Sequence, residues 1–423
     1  MLGSMNRPPL LALLLLVGAQ APPDDPLQPY RGPSAKGVDP TSLDGKVLCG
    51  YQGWFSADGD GSGRGWGHWT KNRNKPFDAA NTKIDLWPDL RDYGADETFA
   101  TSLAHADGRR ADVFSSFRKA TVLRHVQWMR DYGIDGAFVQ RFIVDLKDPR
   151  EARHFNTVLA SFREGANRFG RAYAVMYDLT GLKAGRITEV QDDWKALRQR
   201  MTITEDPAYL RHRGKPVVAV WGVGFSDQRE YTLDECGRLV DVLKADGCTV
   251  LLGVPTYWRE STRDASPDPA VHDLLKRADV ISPWTVGRFG KPAEAAAHGE
   301  KVVTPDLAWC RESKLDYLPV VFPGFSWHHM HAGKLDQIPR LEGRFYWSQW
   351  LALKKAGATM AYVAMFDEVD EATAIFKCTN EPPAIDGGFV TFGGLPSDFY
   401  LKLTGAGARL LRGELPPTDE PPR

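Results

Sequence analysis

A chain of 423 residues, 43% hydrophobic and 25% charged, has the composition of a globular enzyme and not of a disordered or fibrous protein. Its net charge of −1, with basic residues scattered along the chain, gives no electrostatic basis for binding nucleic acid or an anionic membrane. Thirteen tryptophans, many near the ends of apolar segments, fit either stacking on sugars or ordinary filling of cores and interfaces.

The N-terminus has the order of an export signal. Arg7 precedes the apolar run Leu10–Val17, and small residues Gly18 to Ala21 follow. That run is too short to span a bilayer. Residues 1–21 therefore read as a signal peptide, with a retained membrane anchor as the alternative. The expected location is secreted or periplasmic, with no integral membrane segment after cleavage. Residues 22–40 are rich in Pro, Asp and Gly and read as a disordered leader, and residues 414–423 as a Pro-rich tail of the same kind.

Between them, short apolar runs alternate with helical patterns. The expected strands are Val47–Phe55, Gly136–Phe142, Ala172–Leu179, Pro216–Phe225, Thr249–Trp258, Asp279–Val286, Leu318–Trp327 and Met360–Phe366. Near-continuous hydrophobicity suits parallel strands covered on both faces. The expected helices are Ser116–Tyr132, Pro149–Phe169, Ile187–Met201, Thr232–Ala245, Pro269–Ala278, Ala293–Glu312, Gly343–Ala356 and Ser397–Leu411, the sixth broken near Pro305. Thr232 with Glu235 three residues on has capping-box spacing. This alternation predicts a single α/β domain over residues 41–413, a (β/α)8 TIM barrel. The competing fold is an open doubly wound sheet. It needs a Gly-rich phosphate turn after the first strand, and GYQGWF is not one.

Five cysteines, none in C-x-x-C spacing, speak against a structural zinc site. Cys236 and Cys248 flank one predicted helix, roughly 18 Å apart, and cannot pair. Buried free thiols are the expected state.

In such barrels the active site stands at the C-terminal ends of the strands. Those ends carry Tyr51, Gln52 and Trp54; Gln140 and Arg141; Asp178; Trp221; Tyr257 and Trp258; Trp284; Trp327, His328 and His329; and Asp367 to Glu371. Recurrent aromatics with a few polar groups and paired acids make the lining expected of a sugar cleft. Within Met365–Glu371 (MFDEVDE), Asp367, Glu368, Asp370 and Glu371 follow a buried strand directly. Crowded carboxyls raise at least one pKa, giving a protonated acid beside an ionised base. The plainer alternatives are a solvated acidic loop or a cation site.

This stretch, AMFDEVDEATAIF, resembles the strand-eight motif F-N-E-W-H-E-G-T of the glycoside hydrolase family 99 endo-α-mannosidases and endo-α-mannanases. Together with GYQGWF it is closer still to a bacterial group of family 71/99-like proteins, a likeness spanning about Asp39 to Lys377. The resemblance implies catalysis by Glu368 as base and Glu371 as acid. The motif Asn, Trp and His are replaced here by Asp367, Val369 and Asp370, which leaves the substrate open.

Asp58–Gly63 matches the first half of a calcium loop, but Trp69 stands where the closing Glu belongs. The segment reads as a loop over the barrel mouth, with Trp66, His68 and Trp69 as sugar contacts, or as a plain surface loop. His328, His329 and His331 suggest a metal only weakly, because neighbours on a strand face opposite ways. No cofactor or metal is expected. Three readings follow: a hydrolase of polysaccharide or oligosaccharide, a carbohydrate-binding barrel without catalysis, and a metal-assisted hydrolase.

Overall fold

Runs that are apolar on both faces satisfy their backbones in a sheet covered from both sides, and every expected run contributes a parallel strand. The computed structural model describes residues 25–422, so the signal segment lies outside it. The chain begins with β1 (Val47–Tyr51), a hairpin β2 (Thr98–Ala104) and β3 (Arg110–Phe114), α1 (Lys119–Asp131), β4 (Gly136–Phe142), α2 (Pro149–Phe169) and β5 (Ala172–Asp178). Next come α3 (Thr188–Arg200), the short β6 (Arg211–His212), β7 (Lys215–Trp221), α4 (Leu233–Ala245), β8 (Thr249–Pro255), α5 (Ala270–Leu275) and β9 (Val280–Trp284). The last part holds α6 (Pro292–His298), α7 (Thr304–Glu312), β10 (Asp316–Tyr317), β11 (Val320–Val321), α8 (His328–His331), α9 (Arg344–Ala356), β12 (Ala361–Val363) and α10 (Phe399–Arg412).

The sheet runs β10-β9-β8-β7-β5-β4-β1-β12-β11. β10 pairs with β9 while β11 pairs with β12, so the seventh barrel strand joins both ends and closes the ring. It is split at Leu318-Pro319, where proline has no N–H for the ladder. The expected strand Leu318–Trp327 is corrected accordingly: after Val321 the chain leaves the sheet, and the Phe322 amide bonds instead to the Gln349 side chain. The break expected near Pro305 is a π turn, Gly299–Val303, which absorbs the missing donor without ending the helix.

Two terminal expectations are also corrected. Residues 25–40 lie against α2: Leu27 is buried, Ala35 N–H donates to the Asn167 carbonyl at 2.8 Å and Val38 N–H to that of Gly170 at 3.0 Å. Carbonyls left open at a helix C-terminus need donors, and this polar segment supplies them. In the tail, the Thr418 carbonyl accepts from Trp347 Nε1 at 2.7 Å. Apolar content alone underestimates both segments. The β2–β3 hairpin was not expected as strands; it turns at Asp107-Gly108, with Gly108 at φ +84°. All five cysteines are free and buried. No helix among the described residues is long and apolar enough to cross a membrane.

Candidate active site

β12 hands its chain to a tight turn that folds back on itself. Thr373 and Ala374 N–H groups donate to the Glu368 carbonyl at 3.1 and 3.0 Å, and Asp85 and Leu86 N–H groups grip the Val369 carbonyl from the long insertion after β1. Asp367 ties this turn to the end of β1, accepting from Gln52 N–H at 2.8 Å and Gly53 N–H at 2.9 Å. Gly53 has φ +60°, and a Cβ there would lie 2.5 Å from Val158, so the approach needs glycine. Asp367 is thus a fully buried clamp and not a ligand contact, which corrects its expected role.

The clamp brings Gln52 over Glu368. Gln52 Nε2 donates to Glu368 Oε1 at 2.7 Å and Thr373 Oγ1 to Oε2 at 2.8 Å. Gln52 Oε1 is buried without a partner. Beneath them, inside the barrel, Gln140 Nε2 donates to the Tyr362 hydroxyl at 3.0 Å. Gly50 makes room there, since a Cβ would meet that hydroxyl at 2.0 Å. Glu371 follows at the rim, half-buried, with a hydrogen bond to the Trp327 side chain, and Trp327 itself is 39% exposed.

A second cluster joins the same turn to the loop after β1. His68 stacks on Trp54, centroids 3.8 Å apart and planes 8° from parallel. His68 Nδ1 lies 3.2 Å and Lys83 Nζ 3.3 Å from Asp370 Oδ2. A cleft of about 640 Å3 opens beside His68, lined by Thr70, Asn72, Arg73 and Asp145 among others. Across the mouth, Trp221 and Trp284 pack edge to face at 5.6 Å, both half-exposed, and Trp221 Nε1 is buried without a partner. A cavity of about 800 Å3 between the hairpin and residues 379–397 contains none of the four acids, so volume does not mark the site.

The electrostatics separate these acids. Burial, then the charges of Glu371 and Asp370, hold Glu368 well above the ordinary carboxyl range, against the Thr373 and Gln52 hydrogen bonds. Burial and Asp370 push Glu371 up to about 7. Burial also pushes Asp367 up to about 7, against its backbone donors. Asp370 goes the other way: burial opposes its charge, but Lys83 and the His68 hydrogen bond bring its pKa below the usual value. Burial and Lys83 lower His68 to about 3, so its ring is neutral near pH 7. An acid near 7 and a strongly basic carboxylate at one barrel mouth can share a proton and pass it to a bound molecule.

Other expected residues fall elsewhere. Tyr51 points into the outer layer, fully buried, its hydroxyl 2.9 Å from His125 Nδ1. Trp258 is also sealed, donating from Nε1 to Asp306 at 3.1 Å. Both expected contacts are corrected, because side chains alternate along a strand and these face the helices. Trp66 and Trp69 are core rings, 8% and 0% exposed. Asp178 is half-buried and accepts from Thr180 N–H at 2.7 Å, shaping the loop after β5. Tyr257 is half-buried beneath the Arg263 guanidinium at 4.2 Å. The histidines sit on the single turn α8 and not on a strand, with Asp85 accepting both His328 N–H (2.7 Å) and His329 N–H (3.0 Å); His328 Nδ1 lies 2.8 Å from the Gly333 carbonyl. Among the described residues no group of three His, Cys, Asp or Glu side chains is placed to hold a metal. Asp60, in the calcium-like loop, already accepts from Ala57 N–H, Ser62 N–H and the Ser115 hydroxyl.

Lys83, Asp85 and Thr373 were not anticipated. Lys83 lies far from any motif in sequence, and only the bridge between Thr70 and Thr82 carries it to the mouth. No protein-family model and no curated protein matches the sequence. Among solved structures the chain is similar to the family 99 endo-α-mannosidase from Bacteroides thetaiotaomicron, with a TM-score of 0.63 at 15% identity, covering 88% of this chain and 99% of that one. The same enzyme with bis-tris-propane matches at 0.64 with the same identity and coverage. This likeness shows the fold, and it extends over nearly the whole of the mannosidase.

Proposed function

We propose that the chain is a glycoside hydrolase acting on α-linked polysaccharide or glycan, with Glu368 as base and Glu371 as acid. The observation that carries the reading is the pair itself. Glu368 is gripped by Gln52 and Thr373 at the barrel mouth, and half-buried Glu371 at the rim has a pKa near neutrality. The fold shared with an endo-α-mannosidase and the motif resemblance in the last barrel strand support it. Residues proposed to meet the sugar are Gln52, Trp54, Gln140, Asp178, Trp221, Tyr257, Trp284, Trp327 and His328, together with His68. Export, proposed from Arg7 to Ala21, predicts protein outside the cytoplasm that begins near Gln20 or Pro22 by N-terminal sequencing; an intact Met1 there defeats it.

In the route implied by the resemblance, Glu368 removes the proton of the sugar 2-hydroxyl. The freed oxygen attacks the anomeric carbon as the glycosidic bond breaks, and Glu371 protonates the departing oxygen. Glu371 then takes a proton from water, which opens the 1,2-anhydro ring with net retention while Glu368 returns its proton to the 2-oxygen. Glu371→Gln should spare substrates with good leaving groups more than natural glycans, and Glu368→Gln should damage both alike. A substrate lacking the 2-hydroxyl should be inert. Its rapid hydrolysis would exclude the anhydro route, and no released reducing ends from any α-linked glycan would exclude the hydrolase.

A further inference from the structure

Three of the four acids after β12 have evident holders. Backbone amides hold Asp367, Gln52 and Thr373 hold Glu368, and Trp327 meets Glu371. Asp370 is different. It is 1% exposed, Oδ1 has no partner, and Oδ2 faces Lys83 and His68. A lone carboxylate in such surroundings takes up a proton in preference to remaining charged. His68 brings no positive charge, since its ring is neutral and clamped on Trp54. Lys83 is therefore the cation that decides the matter; among the described residues no other Lys or Arg lies within ion-pair distance of Asp370.

Lys83 is built to stay there. Its N–H donates to the Trp69 carbonyl at 3.1 Å, the preceding Thr82 bridges to Thr70, and its side chain is 21% exposed. The charged groups that act on this cluster are Glu368, Glu371 and Asp367 from the turn after β12, and Arg64 beyond His68. We propose that Lys83 is a positioning residue for the acid pair: its ammonium keeps Asp370 anionic, and that anion keeps on Glu371 the proton a leaving group requires. The inference rests on the reading of Glu371 as the acid. It assigns Lys83 and Asp370 one shared task, since an ammonium acting on Glu371 alone would draw that proton off.

The sign of the effect separates the two cases. In Lys83→Met the unpaired carboxylate of Asp370 should take up a proton and mimic Asp370→Asn. Both variants should move the alkaline limb of kcat/KM to lower pH by about one unit or more, and the double variant no further than either. Lys83→Arg should restore the profile, which a merely structural role would not predict. An upward shift in Lys83→Met, or additive shifts in the double variant, overturns the proposal. Carbon-13 carboxyl NMR of the wild type needs neither substrate nor variant. Asp370 should be ionised and Glu371 largely protonated near pH 6, and a neutral Asp370 or a fully ionised Glu371 there overturns the proposal even if Lys83→Met fails to fold. Those titrations together with no cleavage of any glycan would leave the charge coupling standing and remove the hydrolase reading.

Discussion

Asp306 and Glu371 are both carboxyls that burial pushes up to about 7, yet their surroundings differ in kind. Asp306 lies on α7, sealed in the helical layer, where Arg259 Nε (2.8 Å), Trp258 Nε1 (3.1 Å) and the Tyr317 hydroxyl (3.2 Å) all donate to it. Every lone pair it needs to share is taken, and no solvent reaches it. Glu371 lies at the barrel mouth, half-buried, beside a second carboxyl and an exposed tryptophan. A shifted proton affinity is thus not a functional mark by itself. What separates the two is whether the group has capacity left for a molecule that is not part of the protein.

The contrast can be broken most strongly by exchange of single atoms. Glu368→Gln or Glu371→Gln should cost about 10²–10⁴-fold in turnover on natural glycans while leaving the unfolding transition nearly unmoved. Asp306→Ala should do the reverse, costing about 3–5 kcal/mol of stability by stranding Arg259, with turnover per folded molecule retained. Equal loss of turnover in both would erase the distinction. Two tryptophans repeat the comparison at smaller scale. Trp258→Ala should destabilise by about 3–5 kcal/mol in denaturant titration. Trp327→Ala should leave stability alone and weaken glycan binding by about 1–3 kcal/mol, the scale of ring stacking in nucleic-acid readers. Unchanged binding in Trp327→Ala removes that ring from the site.

The smallest effect is a slope. An unfolded Asp ionises near 3.8 and folded Asp306 near 7, so between these values the folded protein holds the extra proton. Stability contributed by that proton is present at low pH and is lost as pH rises through the window, at most on the order of 1 kcal/mol per pH unit. Asp306→Asn should flatten the decline of stability between about pH 4 and 7, but not abolish it, because Asp367 and Glu371 are raised in the same direction. A slope identical to that of the wild type would mean that Asp306 is ionised throughout.

Much of the barrel was legible because local rules suffice for it. Continuous apolar runs marked strands, the Thr232–Glu235 capping box forms as its spacing implied, and α2 has the expected bounds. The seventh strand was misplaced because Pro319 interrupts it and both halves must pair with different neighbours, a fact of ring closure and not of sequence. Within the candidate site, the turn from Asp367 to Glu371 was found because four carboxyls after a buried strand are conspicuous, and Gln52 because it follows β1 directly. Tyr51 and Trp258 were misjudged for one reason: being near a strand end does not say on which face a ring emerges.

The sequence by itself determined the alternation of elements, the number of strands and the place where acids accumulate, since each depends on periodicity or composition within a few residues. Tertiary structure alone decided which of those acids is a clamp, which is gripped and which retains an open face. It also decided that Lys83, carried in by the insertion after β1, sits against Asp370, nearly three hundred positions away in the chain. Charge interactions fall off with distance in space and are indifferent to distance along the chain, so no local pattern could have recorded that pair.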